Sequence, residues 1–369
     1  MKVAIVHYWL VNMRGGEKVV EALCRMFPQA DIFTHVYDPE RVSPTIRAHK
    51  VTTSFIASLP GAKRHFRRYL PLMPMALEQL DLRGYDLILS SESGPAKGVI
   101  PPPDSAHLCY CHSPMRYLWN MFHEYRDGAG SVTRLLMPPL AHYLRNWDAL
   151  SATRVDRYVA NSRTVASRIA RYYHRDSHVV FPPVDVDAFA PSTDIDDYYL
   201  MAGELVGYKR PDLAVRSFNR LGKKLVVVGG GEMLPAIRAL AGPTVTVLGP
   251  QPFDALRRHY ARSRALVFPG EEDFGIVPVE AMASGRPVLA FRKGGATETV
   301  VDEVTGLFFD EQTDEALEAG VVEIERRRFD PQRIVEHARR FSPQHFERRL
   351  GAIVTQATGA RAPCGGVRR

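Results

Sequence analysis

The chain is 369 residues long, with hydrophobic residues at 45% and charged residues at 24%; this excludes a disordered segment or a lone binding module and predicts two domains, each with its own core. Forty-eight Lys and Arg against 41 Asp and Glu leave a formal charge of +7, which suits an anionic partner: a nucleotide, a nucleic acid or an acidic membrane surface. Cys24, Cys109, Cys111 and Cys364 lack the paired spacing of a zinc site and offer no disulfide framework.

The first ten residues, MKVAIVHYWL, are apolar behind one Lys, lack a small-residue cleavage site and run into a Gly pair. They read as a buried first strand rather than a signal peptide. No run of 18 residues is free of charge, so no transmembrane helix is expected and the expected location is the cytoplasm. Strands are predicted over residues 2–7, 31–35, 87–90, 106–110 and 157–160, followed by helix-length segments that include 17–26 and 162–173. The second half repeats the pattern, with strands over residues 198–202, 224–228, 245–248, 265–268, 287–290 and 306–309. Short apolar runs alternating with amphipathic helices are the signature of βαβ units. The expected class is α/β, with two Rossmann-like, doubly wound parallel-sheet domains.

Between the halves, residues 181–197 (FPPVDVDAFAPSTDIDD) interrupt every periodicity and read as a linker. The expected domains are therefore residues 1–180 and 198–345. Residues 346–369 are expected to form a C-terminal helix that packs back on the first domain and a frayed tail from about residue 359. Two such domains predict a central cleft facing the carboxyl ends of both sheets, with the ligand between them.

Residues 268–285, FPGEEDFGIVPVEAMASG, carry the most chemistry. A strand ends, an acidic glycine-containing loop follows, and a helix is expected from about Ile276 to Ser284. A helix N-terminus presents free N–H groups and partial positive charge, which makes Phe274, Gly275 and Ile276 a phosphate cradle. Glu280 lies one turn inside, where a carboxylate accepts hydrogen bonds from both ribose hydroxyls, and Glu272 precedes the helix. The bland alternatives are helix capping for Glu272 and a solvated face for Glu280.

Glu272 and Glu280, eight apart, resemble the E-x7-E signature of retaining family-4 glycosyltransferases of the GT-B fold. Gly15-Gly16-Glu17 resembles that family's glycine loop between first strand and first helix, and residues 203–212 (GELVGYKRPD) resemble its basic phosphate clamp. ANSR at 160–163, Gly294-Gly295 and TGL at 305–307 follow in family order. The resemblance implies transfer of a sugar from a nucleoside diphosphate with retained anomeric configuration, the first domain on the acceptor side and the second holding the nucleotide sugar. It implies donor binding by Gly15, Gly16, Lys209, Arg210, Phe274, Gly275, Ile276 and Glu280. Catalytic roles fall to Glu272, Lys209 and His112, the last matching a family His that reaches the transferred sugar.

One departure stands out: Glu204 occupies the place of the clamp's usual Arg, so Arg210 is expected to take over part of the phosphate charge. Asp185 and Asp187 resemble a metal-holding pair of another glycosyltransferase class, but in this linker they read as turn chemistry. No metal and no cofactor are expected. The segment from Lys63 to Leu70 (KRHFRRYL) predicts a short basic amphipathic helix ended by Pro71 and suited to an anionic membrane surface.

The 109–119 segment (CYCHSPMRYLW) is expected to follow a strand and begin a helix, and the sequence as a whole, especially its YCHSPMRYLW part at 110–119, resembles bacterial surface-polysaccharide mannosyltransferases. That points to GDP-mannose as donor, a saccharide or lipid-linked saccharide as acceptor, and the inner face of the membrane. The competing readings are a nucleotide-sugar epimerase, which shares the two-domain cleft, and a basic nucleic-acid-binding protein, which this sequence supports with no reader module. No nucleic-acid partner is expected.

Overall fold

A computed structural model describes residues 1–359, and the expected tail from residue 360 on, with Cys364, lies outside the described residues. The chain divides into two units, Met1–Pro183 together with the segment from Phe346 on, and Val184–His345.

In the first unit, strands β1 (Val3–His7), β2 (Asp31–Thr34), β3 (Val51–Thr53), β4 (Leu87–Glu92), β5 (Ala106–Cys111), β6 (Arg157–Ala160) and β7 (Ser177–Val179) form one sheet in the order β3-β2-β1-β4-β5-β6-β7. Every pairing is parallel. β1, β4 and β5 are buried along their whole length, as central strands of a parallel sheet covered on both faces must be. β3 and β7, three residues each and partly exposed, carry no continuous apolar run and are not foretold by the sequence.

In the second unit, β8 (Tyr199–Ala202), β9 (Leu225–Val228), β10 (Val245–Gly249), β11 (Leu266–Phe268), β12 (Val288–Phe291) and β13 (Gly306–Phe309) form a parallel sheet in the order β10-β9-β8-β11-β12-β13. The strand order turns back between β1 and β4 and between β8 and β11, so each sheet has a switch point, where open α/β folds bind ligands at the carboxyl edge.

The helix Pro343–Gly359 places Phe346, Leu350, Val354 and Ala357 in one cluster with Val3, Ile5, Val20 and Leu23 of the first unit. Their three- and four-residue spacing puts all four on one helical face.

Residues 63–70 are not one amphipathic helix. A single α-turn, Ala62–His65, passes into a 3-10 stretch, Phe66–Leu72, that runs through Pro71 instead of ending before it. Phe66 is buried against Trp9, with ring centroids 4.6 Å apart. The segment's apolar side is therefore spent on the core, while Lys63, Arg64, Arg67 and Arg68 stay exposed. The 109–119 segment also departs from expectation: β5 ends at Cys111 and the next helix begins only at Phe122. Pro114 disfavours helix at the residue before it. Among the described residues no helix is long and apolar enough to cross a membrane.

Candidate functional site

Four loops meet the carboxyl edge of the second sheet: residues 203–210 after β8, 229–233 after β9, 269–275 after β11 and 292–295 after β12. The 269–275 loop delivers the helix Ile276–Ala283, whose N-cap, Gly275, has φ 85°. That left-handed backbone is costly for a residue with a Cβ, so glycine lets the chain turn sharply and leave the helix N-terminus uncapped by any side chain. Its first-turn amides are the donors a phosphate needs.

Lys209 ends a short 3-10 turn, Gly207–Lys209, that follows β8. A Cβ on Gly270 would stand 2.5 Å from Lys209 Cα, so only glycine there lets the clamp loop lie against the acidic loop. The contact brings Lys209 Nζ to 2.9 Å from Glu272 Oε1, both side chains being mostly buried. A Cβ on Gly203 would meet Lys209 Nζ at 3.5 Å and Val277 Cγ2 at 3.7 Å, which places the ammonium beside the first turn of the helix. Gly295 N donates to the Glu272 carbonyl at 2.8 Å, tying the loop after β12 to the same place.

Glu280 lies one turn further in. Its Oε2 accepts a hydrogen bond from the Tyr260 hydroxyl at 2.8 Å. Burial raises its pKa above the usual carboxylate range, against the pull of that hydrogen bond and of the Lys209 charge. Tyr260, on the helix Phe253–Arg262, carries no motif and is missed by sequence reading; it looks like one more apolar core position.

Arg210 itself has φ 52° and caps the helix Pro211–Leu221 through its backbone. Its guanidinium is turned onto Asp212, Nε to Oδ1 3.2 Å. Glu204 is exposed, and the Lys209 ammonium lies on Glu272. Phe274 is buried, edge-to-face with Phe341 at 5.6 Å. Asp185 is the N-cap of the short turn Val186–Ala188 and Asp187 lies within it, and among the described residues no group of three His, Cys, Asp or Glu side chains is placed to hold a metal ion.

In the first unit, Gly15 and Gly16 form the first turn of the helix Gly15–Met26 rather than a loop before it, with Arg14 as N-cap and Glu17 accepting from Arg14 N at 3.0 Å. His112 follows β5, and its Nε2 lies 2.8 Å from Ser91 Oγ at the end of β4. Burial lowers the pKa of His112 to about 3, with His7 adding a smaller push, so the imidazole is neutral at physiological pH. Neutral, it has one donor and one acceptor nitrogen. Cys109 and Cys111 are buried small residues of β5.

Behind them lies a feature that sequence reading also missed. Lys97 is wholly buried with Asp148 and Glu92, Nζ to Glu92 Oε1 3.5 Å and N to Glu92 Oε2 2.8 Å, while a short ion pair joins Nζ to Asp148 Oδ1. Asp148 Oδ2 also accepts from Trp119 Nε1 at 2.8 Å and from the Tyr173 hydroxyl at 2.9 Å, which anchors the loop carrying His112. The three charges are spread over residues 92–148, so no short motif announces them.

Two family models match. "Glycosyltransferase Family 4" covers residues 13–188 and "Glycosyl transferases group 1" covers residues 186–341. A D-inositol 3-phosphate glycosyltransferase of Segniliparus rotundus is 30% identical over 248 residues, 58% of this chain and 55% of that protein; the chain spans about half the length of such relatives. Among solved structures, sucrose-phosphate synthase from Thermosynechococcus elongatus superposes with a TM-score of 0.72 at 18% identity, over 98% of this chain and 100% of that one. HepE of Anabaena, in complex with UDP, gives 0.70 at 15% identity, over 96% and 100%. With its two halves matched in tandem and this fold shared along its length, the chain belongs to the family-4 glycosyltransferases of the GT-B fold.

Proposed function

We propose that the protein is a retaining, metal-independent glycosyltransferase that moves mannose from GDP-mannose to a saccharide or lipid-linked saccharide in surface-polysaccharide synthesis. The observation that carries the transferase reading is the constellation at the carboxyl edge of the second sheet: Lys209 paired with Glu272, beside an uncapped helix N-terminus, with Glu280 held by Tyr260 one turn in. The mannosyl part rests on the overall resemblance of the sequence, above all its YCHSPMRYLW segment at 110–119.

In this reading the diphosphate lies on the amides of Phe274, Gly275 and Ile276, and Glu280 accepts hydrogen bonds from the ribose. The bond between anomeric carbon and phosphate oxygen breaks with its electron pair going to the diphosphate. Lys209 and the helix amides stabilise the charge that develops there, as an oxyanion hole does. The acceptor hydroxyl bonds to the anomeric carbon on the face the diphosphate leaves, and its proton passes to a leaving phosphate oxygen. Glu272 and His112 hold hydroxyls of the sugar, and Gly15 and Gly16 approach the phosphate end of the donor. Arg210 joins the phosphate only by releasing Asp212. No step requires a metal, so activity is expected to survive a chelator.

The same reading places the enzyme against the inner face of an anionic membrane through the exposed Lys63, Arg64, Arg67 and Arg68, none of which has a carboxylate within ion-pair distance among the described residues. A thermal-shift panel of GDP, UDP, ADP and their sugars tests the donor. A bound ligand at a hundred times its dissociation constant adds about 2.7 kcal/mol of stability. Stabilisation by GDP-mannose is expected; stabilisation by UDP compounds alone would replace the donor, and none by any nucleotide would remove the transferase reading.

A further inference from the structure

The residues that lead into β8, β11 and β12 stand at the amino edge of the second sheet, at the other end of the strands from the four loops of the carboxyl edge. With Ile324, Glu325 and Phe329 they line a cavity of about 410 Å³, within the roughly 300–1,000 Å³ range of small-molecule sites.

The charges of its wall are compensated, with one exception. Asp197 Oδ1 lies 2.8 Å from Arg264 Nη2, and Asp196 Oδ1 lies 2.8 Å from Arg262 Nη2. Glu325 Oε1 is 2.8 Å from Lys223 Nζ and accepts from the Tyr199 hydroxyl at 2.9 Å. Arg327 is held by Glu323 at 2.7 Å and by Glu303 at 3.2 Å. Arg286 is the exception. It is only 3% exposed, its Nη2 donates to the Ser192 carbonyl, and its Nε has no hydrogen-bond partner. Among the described residues no carboxylate lies within ion-pair distance of its guanidinium.

A guanidinium carries five N–H donors, and a buried charge without a counter-ion is costly. Burial accordingly pulls the pKa of Arg286 below the ordinary guanidinium value. Its place just beyond the C-terminus of the helix Ile276–Ala283 suits a cation, but among the described residues its guanidinium donates to Ser192 and not to a carbonyl of that helix.

We propose that this cavity is a second binding site, separate from the four-loop site, and that it takes a small organic carboxylate whose charged end pairs with Arg286 and whose ring or branched body lies against Ile324 and Phe329. A single uncompensated cation calls for a single negative charge. The planar carboxylate matches the guanidinium fork, while the buried Ile324 and partly buried Phe329 offer apolar surface to the remainder. A phosphate monoester, with nearly two negative charges at neutral pH, would bring its surplus against Asp196, Asp197 and Glu325.

The test titrates the full chain calorimetrically with benzoate as the probe. Benzamide, which keeps the shape and lacks the charge, and inorganic phosphate serve as comparisons. Benzoate is expected to bind more tightly than either. Arg286→Gln should lower its affinity by about tenfold or more, and Arg286→Lys, which keeps the charge and loses the fork, by less. Phe329→Ala should weaken benzoate with Arg286 in place, which keeps the proposal falsifiable if the arginine variants fail to fold. Lys209→Ala, at the opposite edge of the sheet, should bind benzoate as the wild type does. No benzoate binding by the wild type, equal affinity for benzamide, or tighter binding of phosphate overturns the proposal. So does wild-type affinity in a folded Arg286→Gln or in Phe329→Ala. Loss of benzoate binding in Lys209→Ala would put the acid at the four-loop site and overturns it as well.

Discussion

Glu280 gives the site a pH dependence. Its carboxyl is raised by burial and accepts from Tyr260, so falling pH neutralises it earlier than an exposed carboxylate. Below that point it loses the charge that, in the proposed reading, receives ribose hydroxyls. Nucleotide affinity is expected to fall with decreasing pH through an inflection above the usual carboxylate range. Glu280→Gln should abolish the inflection and cost roughly 1.5–3 kcal/mol at neutral pH, the worth of charge-assisted hydrogen bonds; calorimetric titration across pH reads both. Lys209→Ala leaves Glu272 without its partner and, in the proposed reading, the departing charge without its cation. A loss of about 100-fold or more in turnover is expected, measured as released nucleoside diphosphate. If Arg210→Ala weakens donor binding too, Arg210 does leave Asp212; unchanged affinity would end its role. The residue types and their eight-residue spacing were legible in the sequence, because family chemistry fixes them. Tyr260 was not, since a core tyrosine and a tyrosine aimed at a carboxylate look alike until the helices pack.

At the scale of single elements, the helix Ile276–Ala283 depends on its glycine cap. Gly275→Ala puts a Cβ on a backbone at φ 85°, 3.3 Å from Phe268 Cζ. A cost of about 1–2 kcal/mol is expected, together with weaker diphosphate binding as the first-turn amides shift; denaturant midpoints and nucleotide affinity check the two effects. The loop 112–121 depends instead on buried charge. Burial raises the carboxyl of Glu92, and the negative Asp148 adds to it, while Lys97 holds both. Lys97→Met would strand two carboxylates in the core and should destabilise the protein by about 3–5 kcal/mol. The central strands were readable as apolar runs, and their ends moved by one or two residues. The helix Ser131–Ser151 escaped because Pro138-Pro139 reads as a break, and the basic segment misled because its apolar side, Phe66, belongs to the core and not to a free amphipathic face.

For the whole molecule, acid is the weak point. Burial lowers His35 to about 3, His107 to about 4 and His112 to about 3, all in the first unit. Unfolded imidazoles take up protons near pH 6.5, which the folded ones refuse, so protons favour the unfolded chain. The imidazoles' contribution to stability is complete above about pH 6.5 and declines as pH falls toward 4, by roughly 1.4 kcal/mol per unit for each. Glu92, raised rather than lowered, titrates with the opposite sign and offsets one of the three. Hydrogen exchange resolved by segment should show the first unit opening before the second as pH drops from 7 to 5. The division into two α/β units was legible from the alternation of strands and helices, since parallel sheets demand it. That the last helix packs back on the first domain was expected, but which strands residues 346–357 cover was not legible, because an amphipathic helix does not say which residues of a sheet it meets.

That last helix has a temporal consequence. The ribosome makes β1 first and Phe346, which packs in the same cluster, only after all of residues 184–345. The early sheet must therefore wait, incompletely covered, while a contiguous later unit closes ahead of it. In the nascent chain the second unit is expected to resist protease before the half that was synthesised first, an inversion that stalled translation intermediates would reveal.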